Sequence, residues 1–395
     1  MRPLHIGEVI APTAHPPLAD LPRPARTWID VDLDAVRHNC RIAQAFLADE
    51  ALGVLAVVKA DGYGLGMVPV ARAMSGLVRA FAVANVAEAE TLRAGGIAQP
   101  VYILGPALPE EWAAVTAGGF CPAVSTLEEV SGYAAEAARR RMVLPVHVVI
   151  DTGMGRIGAL PEAAEEVLHA VFESPHLALD SLASHLPCAD DDRDYTEAQF
   201  MRFDDLVRGL KAKGLHILHT QLANSAGLTA YPQCGEGWVR AGLMLFGISP
   251  VPAAQYRLRR VVTWKTRVTL VRELPSGHGV SYGRTFITTR PAKVATLAVG
   301  YADGFPRQAS GKGAAVLVCG ERCPVLGRVT MDQIMVDVTD LPVAPCPGDE
   351  AVLVGQQGSG EITARELAQW GDTIAWDLFT GLGPRVQRCY GDFIF

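Results

Sequence analysis

A lysine at the end of an apolar segment is the first residue of this sequence that could do chemistry. Residues 54–58 form a short apolar run that predicts a buried strand, and Lys59 follows it directly. Gly62, Gly64 and Gly66 come next, and glycines at alternate positions let the backbone bend and approach a ligand closely. Burial at a strand end lowers the pKa of a lysine and frees its amine for Schiff-base chemistry. A strand-end lysine that simply reaches into water fits this segment equally well.

Composition limits the classes of function that the chain can have. It has 395 residues, of which 49% are hydrophobic and 19% charged, with a net charge of −7 and a pI near 5.8. Basic residues are scattered, which disfavours nucleic-acid binding, and no apolar run approaches the roughly 18 residues of a membrane span. The proline-rich residues 1–25 predict an N-terminal arm and not a signal peptide. Eight cysteines without paired spacing predict reduced thiols in a cytoplasmic protein.

The elements that would position Lys59 follow a regular alternation of strand and helix patterns. Eight apolar runs rich in β-branched residues, each followed by a crossover, predict a parallel sheet. Eight such units over about 200 residues favour a (β/α)8 barrel over an open sheet. We therefore predict an α/β fold with a TIM-type barrel over residues 26–255. The predicted strands are 54–58, 80–84, 101–104, 121–124, 146–150, 179–183, 217–222 and 243–246.

The pattern changes beyond residue 250. Short segments, many with alternating apolar residues, are joined by Gly, Pro and Asp, and they predict a mostly antiparallel β domain over residues 256–395. Its predicted strands are 261–271, 280–286, 294–299, 315–318, 325–329, 334–338 and 352–354. A helix is predicted for residues 362–370, with Thr363 as its cap. Because no low-complexity linker separates the two parts, we expect the two domains to pack directly.

Polar residues follow several of the predicted barrel strands. Lys59 follows the first run, residues 151–156 the fifth, His185 the sixth, and Asn224 and Ser225 the seventh. Each of them alone could be an ordinary loop residue. Since barrel enzymes build their active sites at the carboxyl ends of the strands, the four coincidences together predict an active site on one rim.

Seven short motifs, in order along the chain, resemble those of the pyridoxal-phosphate (PLP) alanine racemases. The resemblance runs from about residue 28 to 386 and covers both predicted domains. The motifs occupy residues 57–66, 151–158, 224–225, 240–243, 280–283, 300–304 and 327–333. The family's fold, a PLP-binding barrel followed by a β domain, agrees with the predicted architecture. The resemblance implies a racemase that interconverts L-alanine and D-alanine and supplies D-alanine for peptidoglycan.

The resemblance implies two catalytic bases, one on each face of the substrate. Lys59 is one of them and also holds PLP, and Tyr282 is the other. A phenol with its ordinary pKa of about 10 is a poor base at neutral pH, so Tyr282 needs a cationic neighbour or a hydrogen bond. In the family this tyrosine comes from the β domain of a second subunit, which implies a homodimer with shared active sites. A packed strand aromatic is the alternative interpretation of Tyr282.

The resemblance also implies how the cofactor is bound. Arg240 matches the residue that faces the pyridine nitrogen. Because arginine does not readily give up a proton, the ring nitrogen would stay an acceptor and the ring would be a weaker electron sink. His185 and Arg240 are candidates for the hydrogen-bond network that supports Tyr282, and no metal site is predicted. The residues expected at or beside the phosphate are Tyr63, Asn224, Ser225, Gly242 and Leu243.

Three residues are implied in substrate binding, and two positions depart from the family pattern. Arg156 would bind the substrate carboxylate with its planar fork. The main chain of Met331 would be a second contact, and Tyr301 would line the entrance, although a core aromatic is its alternative interpretation. Many members carry a lysine modified by CO2 where this chain has Val149. A tyrosine that some members carry near the C-terminus aligns with Pro384.

Alternatives to an alanine racemase stay open at this point. A serine or broad-specificity amino-acid racemase uses the same scaffold, and the departures at Val149 and Pro384 leave room for it. A non-catalytic PLP-binding protein built from the barrel alone is a different class, although the second domain with Tyr282 argues against it. PLP decarboxylases are disfavoured, because neither their glycine-rich phosphate loop nor a carboxylate for the ring nitrogen is found.

Overall fold

The protein folds into two sheets with surrounding helices. A computed structural model describes residues 25–47, 52–217, 219–231 and 237–391, so the predicted arm lies outside the described residues except for Ala25. In chain order the strands are β1 (Thr27–Asp32), β2 (Val54–Val57), β3 (Ala80–Val83), β4 (Val101–Ile103), β5 (Cys121–Val124), β6 (Leu144–Val149), β7 (Leu177–Ala183), β8 (Thr220–Gln221), β9 (Val239–Ala241), β10 (Val262–Leu274), β11 (Gly279–Val280), β12 (Phe286–Ile287), β13 (Ala292–Leu297), β14 (Ala315–Val318), β15 (Glu321–Leu326), β16 (Ile334–Asp337), β17 (Glu350–Gln357), β18 (Gly360–Ile362) and β19 (Gln387–Gly391).

The helices lie mostly between the strands of the first sheet. Their α-helical members are α1 (Leu33–Gln44), α2 (Met67–Met74), α3 (Val86–Ala94), α4 (Trp112–Ala117), α5 (Leu127–Arg140), α6 (Ala164–Glu173), α7 (Arg193–Ala212), α8 (Ser225–Ala230), α9 (Ala364–Trp370) and α10 (Ala375–Thr380). Short 3-10 helices span Pro109–Glu111, Leu243–Phe246, Pro252–Arg257, Tyr282–Arg284, Tyr301–Asp303 and Arg307–Ala309. Within the described ranges, no helix is both long and apolar enough to cross a membrane.

The first sheet is the predicted barrel. Its strands run parallel in the order β8-β7-β6-β5-β4-β3-β2-β9. Backbone hydrogen bonds from the amide of Trp238 to the carbonyl of Thr220 (2.9 Å) and from Arg240 to Ala223 (2.9 Å) join β9 to the segment around β8. These bonds bring the two ends of the sheet together, and the predicted fold class is confirmed.

The eighth barrel strand was predicted in the wrong place. The strand is Val239–Ala241, and the apolar run 243–246 forms a 3-10 helix instead. Arg240 turns a charged side chain into the barrel and interrupts the apolar pattern of the true strand, so the more apolar segment after it gave the stronger signal. Gly242 ends the strand, and Leu245 and Phe246 are buried under α1 and the barrel wall.

The second sheet joins both ends of the described chain. Its order is β18-β17-β14-β15-β16-β13-β10-β1-β19, with mostly antiparallel pairs. The pair of β1 with β19 is parallel, with Trp28 opposite Gln387, and β1 pairs antiparallel with β10 on its other edge. The early strand β1 thus belongs by hydrogen bonding to the β domain, while the predicted division near residue 255 stays a prediction.

Of two local predictions for the β domain, one is confirmed and one is wrong. The cap of α9 is confirmed, because the hydroxyl of Thr363 accepts a hydrogen bond from the amide of Glu366 (3.1 Å). The strand expected over residues 280–286 is wrong, because β11 and β12 are separated by the 3-10 helix Tyr282–Arg284. This interruption moves Tyr282 off the sheet.

One continuous apolar core joins the barrel to the β domain. It includes Ile29 of β1, Val36 of α1, Phe81 of β3 and Trp264 of β10, all of which are fully buried. A shared core of this kind fixes the position of the barrel strands relative to the second sheet, as the absence of a low-complexity linker predicted.

Candidate active site

A cavity of about 560 Å³ opens at the carboxyl ends of the barrel strands. Its wall collects loop and strand-end residues from around the whole rim, which is where the sequence predicted the active site. Nine of the predicted site residues line it: Lys59, Tyr63, Arg156, His185, Asn224, Ser225, Arg240, Gly242 and Leu243. The other three, Tyr282, Tyr301 and Met331, lie elsewhere on the same chain.

The segment after Lys59 is a left-handed turn. Ala60, Asp61 and Tyr63 have φ values of +53°, +52° and +57°, and the glycines between and after them are also positive. Non-glycine residues in this region each cost on the order of 1–3 kcal/mol, so surrounding contacts must hold the turn in place. Backbone hydrogen bonds from Gly62 to Val58 (2.8 Å) and from Gly64 to Ala60 (2.7 Å) close it.

Two carboxylates hold this turn, one from the barrel and one from within the turn. The side chain of Glu88 accepts hydrogen bonds from the amides of Ala60 (2.7 Å) and Ala84 (2.8 Å), and so ties the turn to the end of β3. The side chain of Asp61 accepts from the amide of Met67 (2.8 Å) at the start of α2. Sequence reasoning missed Glu88, because a glutamate in the first turn of a helix is common and its target lies 28 residues away.

The environment of Lys59 favours its neutral amine. Burial lowers the pKa of Lys59, the nearby charge of Arg156 lowers it further, and Glu88 acts in the opposite direction. Of the two interpretations of a strand-end lysine, the desolvated one therefore holds here. A neutral amine can act as a base or form a Schiff base with an aldehyde.

Arg240 crosses the floor of the cavity without a carboxylate partner among the described residues. Its guanidinium donates hydrogen bonds to the carbonyls of Gln221 (2.6 Å) and Ser184, and toward the Nδ1 atom of His185 (3.4 Å). Burial, and next the charge of Arg156, lower the pKa of Arg240 to about 10, which leaves it a cation at neutral pH. An uncompensated buried cation calls for an acceptor or an anion from outside the chain.

His185 is a neutral acceptor beside this arginine. Burial lowers its pKa to about 3, and the charges of Arg240, Arg156 and Lys59 act in the same direction. With Nδ1 facing a guanidinium donor, the proton of the neutral ring belongs on Nε2. His185 therefore orients Arg240 and cannot serve as a cation near neutral pH.

Small groups meet on one side of the cavity around Gly242. Ser225 begins α8, whose cap is the side-chain oxygen of Asn224, accepting from the amide of Gly227 (2.9 Å). The hydroxyl of Ser225 accepts from the amide of Gly242 (3.1 Å), and a Cβ atom on Gly242 would lie 2.4 Å from the hydroxyl of Tyr63. A side chain at position 242 would displace the hydroxyl of Tyr63. With glycine there, hydroxyls and amides from three segments converge on one spot that suits a phosphate.

The loop that carries Arg156 is fixed by its backbone. The carboxylate of Asp151 accepts hydrogen bonds from the amides of Gly153 (2.9 Å), Met154 (2.8 Å) and Gly155 (2.9 Å). The carbonyl of Gly153 accepts from Tyr195 of α7 (2.6 Å). The guanidinium of Arg156 is exposed and has no hydrogen bond or ion pair to another described residue of the chain. The loop is therefore preorganised, while the side chain of Arg156 is free to meet a ligand.

Val149 lies in an apolar part of the cavity wall. It is buried and packs with Ala123, Ala183 and Ile157. No amine is present in this cluster to react with CO2, and no carboxylate replaces it. In this chain the fixed backbone around Asp151, and not a group at position 149, holds the Arg156 loop.

The second group of predicted residues forms an exposed surface on the β domain. Tyr282, Tyr301 and Met331 are 70%, 41% and 52% exposed, so neither tyrosine is the packed aromatic of the alternative interpretations. Their turns are joined, because the amides of Tyr301 and Ala302 donate to the carbonyls of Thr330 (3.0 Å) and Met331 (3.0 Å).

The backbone beside Tyr282 is strained. Ser281 has φ +64° and ψ −174°, a conformation that is otherwise almost confined to glycine. Its hydroxyl donates to the carbonyl of Arg328 (2.6 Å), which ties the turn to the loop that carries Met331. Strain of this kind persists only where surrounding contacts hold the backbone, and here it lies directly before the exposed Tyr282.

The charge and shape of the cavity fit PLP. Arg156 and Arg240 bring two cations to it and Lys59 brings an amine, while Asp190 is the one carboxylate among the described residues that line it. The Nδ1 atom of His147 is buried in the same wall without a hydrogen-bond partner. A cationic cavity with a lysine amine, a group of hydroxyls and amides around Gly242 and a buried arginine matches an anionic aldehyde with a ring nitrogen. No cluster of three or more metal-ligating side chains occurs in the described ranges.

Comparison with known proteins places the chain in a class. The model of the alanine racemase N-terminal domain matches residues 31–250, and that of the C-terminal domain matches residues 261–390. An alanine racemase of Symbiobacterium thermophilum is 42% identical over 370 residues, which cover 92% of this chain and 97% of the relative.

Solved structures are similar over more than nine-tenths of the chain. Alanine racemase from Clostridium difficile 630 has a TM-score of 0.87 at 32% identity and covers 94% of this chain and 97% of its own. Alanine racemase from Bartonella henselae, solved with covalently bound pyridoxal phosphate, has a TM-score of 0.82 at 28% identity and covers 93% and 100%. Fold and cavity together define a two-domain barrel enzyme of the amino-acid racemase class. Within that class, the chain belongs to the alanine racemase family.

Proposed function

We propose that this enzyme racemises alanine with PLP bound covalently to Lys59, and that Lys59 and Tyr282 are its two bases. The observation that carries the proposal is the pairing of a desolvated lysine with two guanidinium cations, Arg156 and Arg240, around one cavity. When bound, PLP supplies an electron sink that makes the α-proton of an amino acid removable. The chain's own residues then bind, orient and exchange protons.

Each residue has a definite task in this proposal. Arg156 receives the substrate carboxylate, since its guanidinium is exposed in the cavity on a fixed loop. Arg240 would donate to the ring nitrogen and, as a cation with a pKa of about 10, would give up no proton to it. The phosphate would be bound by Tyr63, Ser225 and the main chain at Gly242 and Leu243, with Asn224 fixing the start of α8.

We further propose a homodimer in which each active site uses residues from both chains. Lys59 lines the cavity, whereas Tyr282 is 70% exposed on the other domain of the same chain. A base must come within about 3 Å of the proton that it moves. The exposed tyrosines and Met331 would therefore complete the cavity of a second copy, where Met331 and Tyr301 would contact the substrate.

Two further parts of the proposal concern the substrate and the cellular location. Alanine is favoured because the relatives are named alanine racemases and because aromatic walls from Tyr282 and Tyr301 would leave little room for a long side chain. Racemisation rates measured with a panel of amino acids distinguish an alanine racemase from a serine or broad-specificity racemase. A cytoplasmic location and a supply of D-alanine for peptidoglycan stay predictions.

The proposal is tested by chiral analysis and by mapping the cofactor. L-Alanine incubated with the purified protein and PLP should reach an equal mixture of enantiomers. Borohydride reduction followed by peptide mapping should place the pyridoxyl group on Lys59. Recovery of the group on Lys265 or Lys293, both in the second sheet, would reject the assignment. Exchange of the α-proton should occur with the protein and not with PLP alone.

A further inference from the structure

The C-terminal segment of the chain lies directly against the Lys59 turn. A Cβ atom on Gly64 would stand 1.9 Å from the carbonyl oxygen of Phe379, at the end of α10. A Cβ atom on Gly66 would stand 1.9 Å from the hydroxyl of Tyr390 in β19. Both glycines have positive φ values, +79° and +93°. The backbone of the turn and the C-terminal segment therefore meet with no room for a side chain between them.

Arg388 connects the two segments. Its Nε atom donates to the carbonyl of Gly64 (3.1 Å). Its Nη1 atom donates to the carbonyls of Gly383 (3.0 Å) and Val386 (2.7 Å), and Nη2 donates to Leu382 (3.1 Å). No carboxylate pairs with this guanidinium in the described part of the chain. Arg388 is partly buried and its guanidinium donates only to backbone carbonyls, so it stabilises local structure and does not serve as a surface charge.

Arg388 lies on β19, an edge strand that is hydrogen-bonded into the second sheet. β19 pairs with β1 over five residues, and β1 in turn pairs with β10 in the middle of the second sheet. The hydrogen bond to Gly64 thus joins the left-handed turn to that sheet, while Glu88 joins the same turn to the barrel. The turn is held from both domains.

We propose that Arg388 is a positioning residue that keeps the left-handed turn in place and thereby fixes the position of Lys59. The inference rests on the proposed role of Lys59. Three non-glycine residues of the turn have positive φ values and would relax if released. A displacement of about 1 Å at a reacting group can lower the rate by roughly 10²-fold.

The same segment also contacts the other group of site residues. Arg385 donates to the carboxylates of Asp303 (3.0 Å) and Asp332 (2.7 Å), which adjoin Tyr301 and Met331. Arg385 thus supports the residues that would face a partner, whereas Arg388 supports the turn of its own chain. Changes at the two arginines should differ, with Arg388 affecting kcat and Arg385 affecting KM for the substrate.

The first test compares Arg388→Lys with a matched control in the holoenzyme. Lysine keeps the charge but cannot bond to four carbonyls at once. We expect kcat to fall by roughly 10²-fold, faster release of PLP on dilution, and faster amide exchange in the peptide 59–67. Arg267→Lys is the control, because Arg267 also donates to backbone carbonyls, those of Ala25 and Gly348, but away from the cavity. It should leave exchange in 59–67 unchanged.

Chemical rescue separates positioning from general stability. In Arg388→Ala, added guanidinium ion should restore part of kcat and slow the release of PLP, whereas methylammonium should not. A change that acted only on overall stability would lower Tm without a response to guanidinium. Rescue absent for both ions, in a variant that is folded and binds PLP, would overturn the proposal.

A measurement on the unchanged holoenzyme covers the case in which the variants do not fold. If Arg388 holds the turn, amides in 59–67 should exchange no more slowly than those in 381–391, since opening of the second segment releases the first. Protection in 59–67 that persists while 381–391 exchanges freely would contradict the proposal. Mapping of PLP to Lys59 in the wild-type protein is independent of this result, so failure of the proposed function and of this inference can be told apart.

Discussion

The barrel and the β domain present their site residues in opposite ways. Lys59, Arg240 and His185 are gathered in a cavity, where hydrogen bonds within one chain hold Arg240, His185 and the turn that follows Lys59. Tyr282 and Met331 are 70% and 52% exposed on turns of the β domain, and the turn of Tyr282 begins at the strained Ser281. The difference teaches that the residues of the cavity come from a single chain, and it supports the proposal that a second copy supplies the other face of the substrate site.

The largest loss of activity is expected for Tyr282→Phe, which removes the proposed base of the β domain. Removal of a general base typically costs about 10²–10⁴-fold, so racemisation should fall by that factor. Because Lys59 remains on the other face, one enantiomer should still exchange its α-proton with solvent and keep its configuration. Proton NMR of each enantiomer in D2O measures this. Loss of exchange for both enantiomers would mean that Tyr282 does not serve one face alone.

A matched pair of glycines tests the rigidity of the barrel side. Gly64→Ala places a methyl group 1.9 Å from the carbonyl of Phe379, whereas Gly76→Ala, with a similar φ of +82°, meets nothing within 4 Å. Both variants bear the strain of a positive φ, about 1–2 kcal/mol. Only Gly64→Ala should also lose kcat, by roughly 10²-fold, because the turn must shift. Equal kcat values in the two variants would show that the turn tolerates displacement.

The pH dependence of stability tests the buried state of His185. Its pKa is about 3 in the folded chain and about 6.5 when unfolded. Between these values the unfolded chain binds one more proton, so stability present above pH 6.5 is lost as the pH falls. In the apoprotein, His185→Asn should lessen this slope by about 1.4 kcal/mol per pH unit. Denaturant unfolding between pH 4 and 7 checks it, and an unchanged slope would mean that His185 takes up a proton in the folded chain.

The smallest expected effect is at Val149. Because valine cannot react with CO2 and the Arg156 loop is fixed through Asp151, activity should not change with added bicarbonate. If a small anion helps to orient Arg156, activity will fall in chloride-free buffer. Turnover measured with and without each ion decides both points. A requirement for bicarbonate would point to a modified lysine elsewhere.

Much of the barrel could be predicted because its signals are local. Apolar runs of β-branched residues between helical patterns locate seven strands, and the glycines after Lys59 mark a turn of unusual backbone. The eighth strand was missed because Arg240 faces into the barrel and breaks the apolar run that marks a buried strand.

Contacts between distant segments could not be predicted from the chain. Nothing local indicates that Glu88 accepts from Ala60, or that Arg388 reaches Gly64 across 324 residues. Likewise, motif resemblance could name Tyr282 but not its exposure, because exposure depends on how β11 and β12 are interrupted. Pairing over long distances is decided by the whole fold and leaves little trace in one sequence.

Complementation between two inactive variants tests the central claim most directly. Lys59→Ala and Tyr282→Phe should each be nearly inactive alone. Under subunit exchange, half of the dimers become mixed, and one of the two sites in each mixed dimer has both wild-type residues. Racemisation should therefore recover to about a quarter of the wild-type level. No recovery, in a mixture whose exchange is proven by mass spectrometry, would contradict a site shared between two chains.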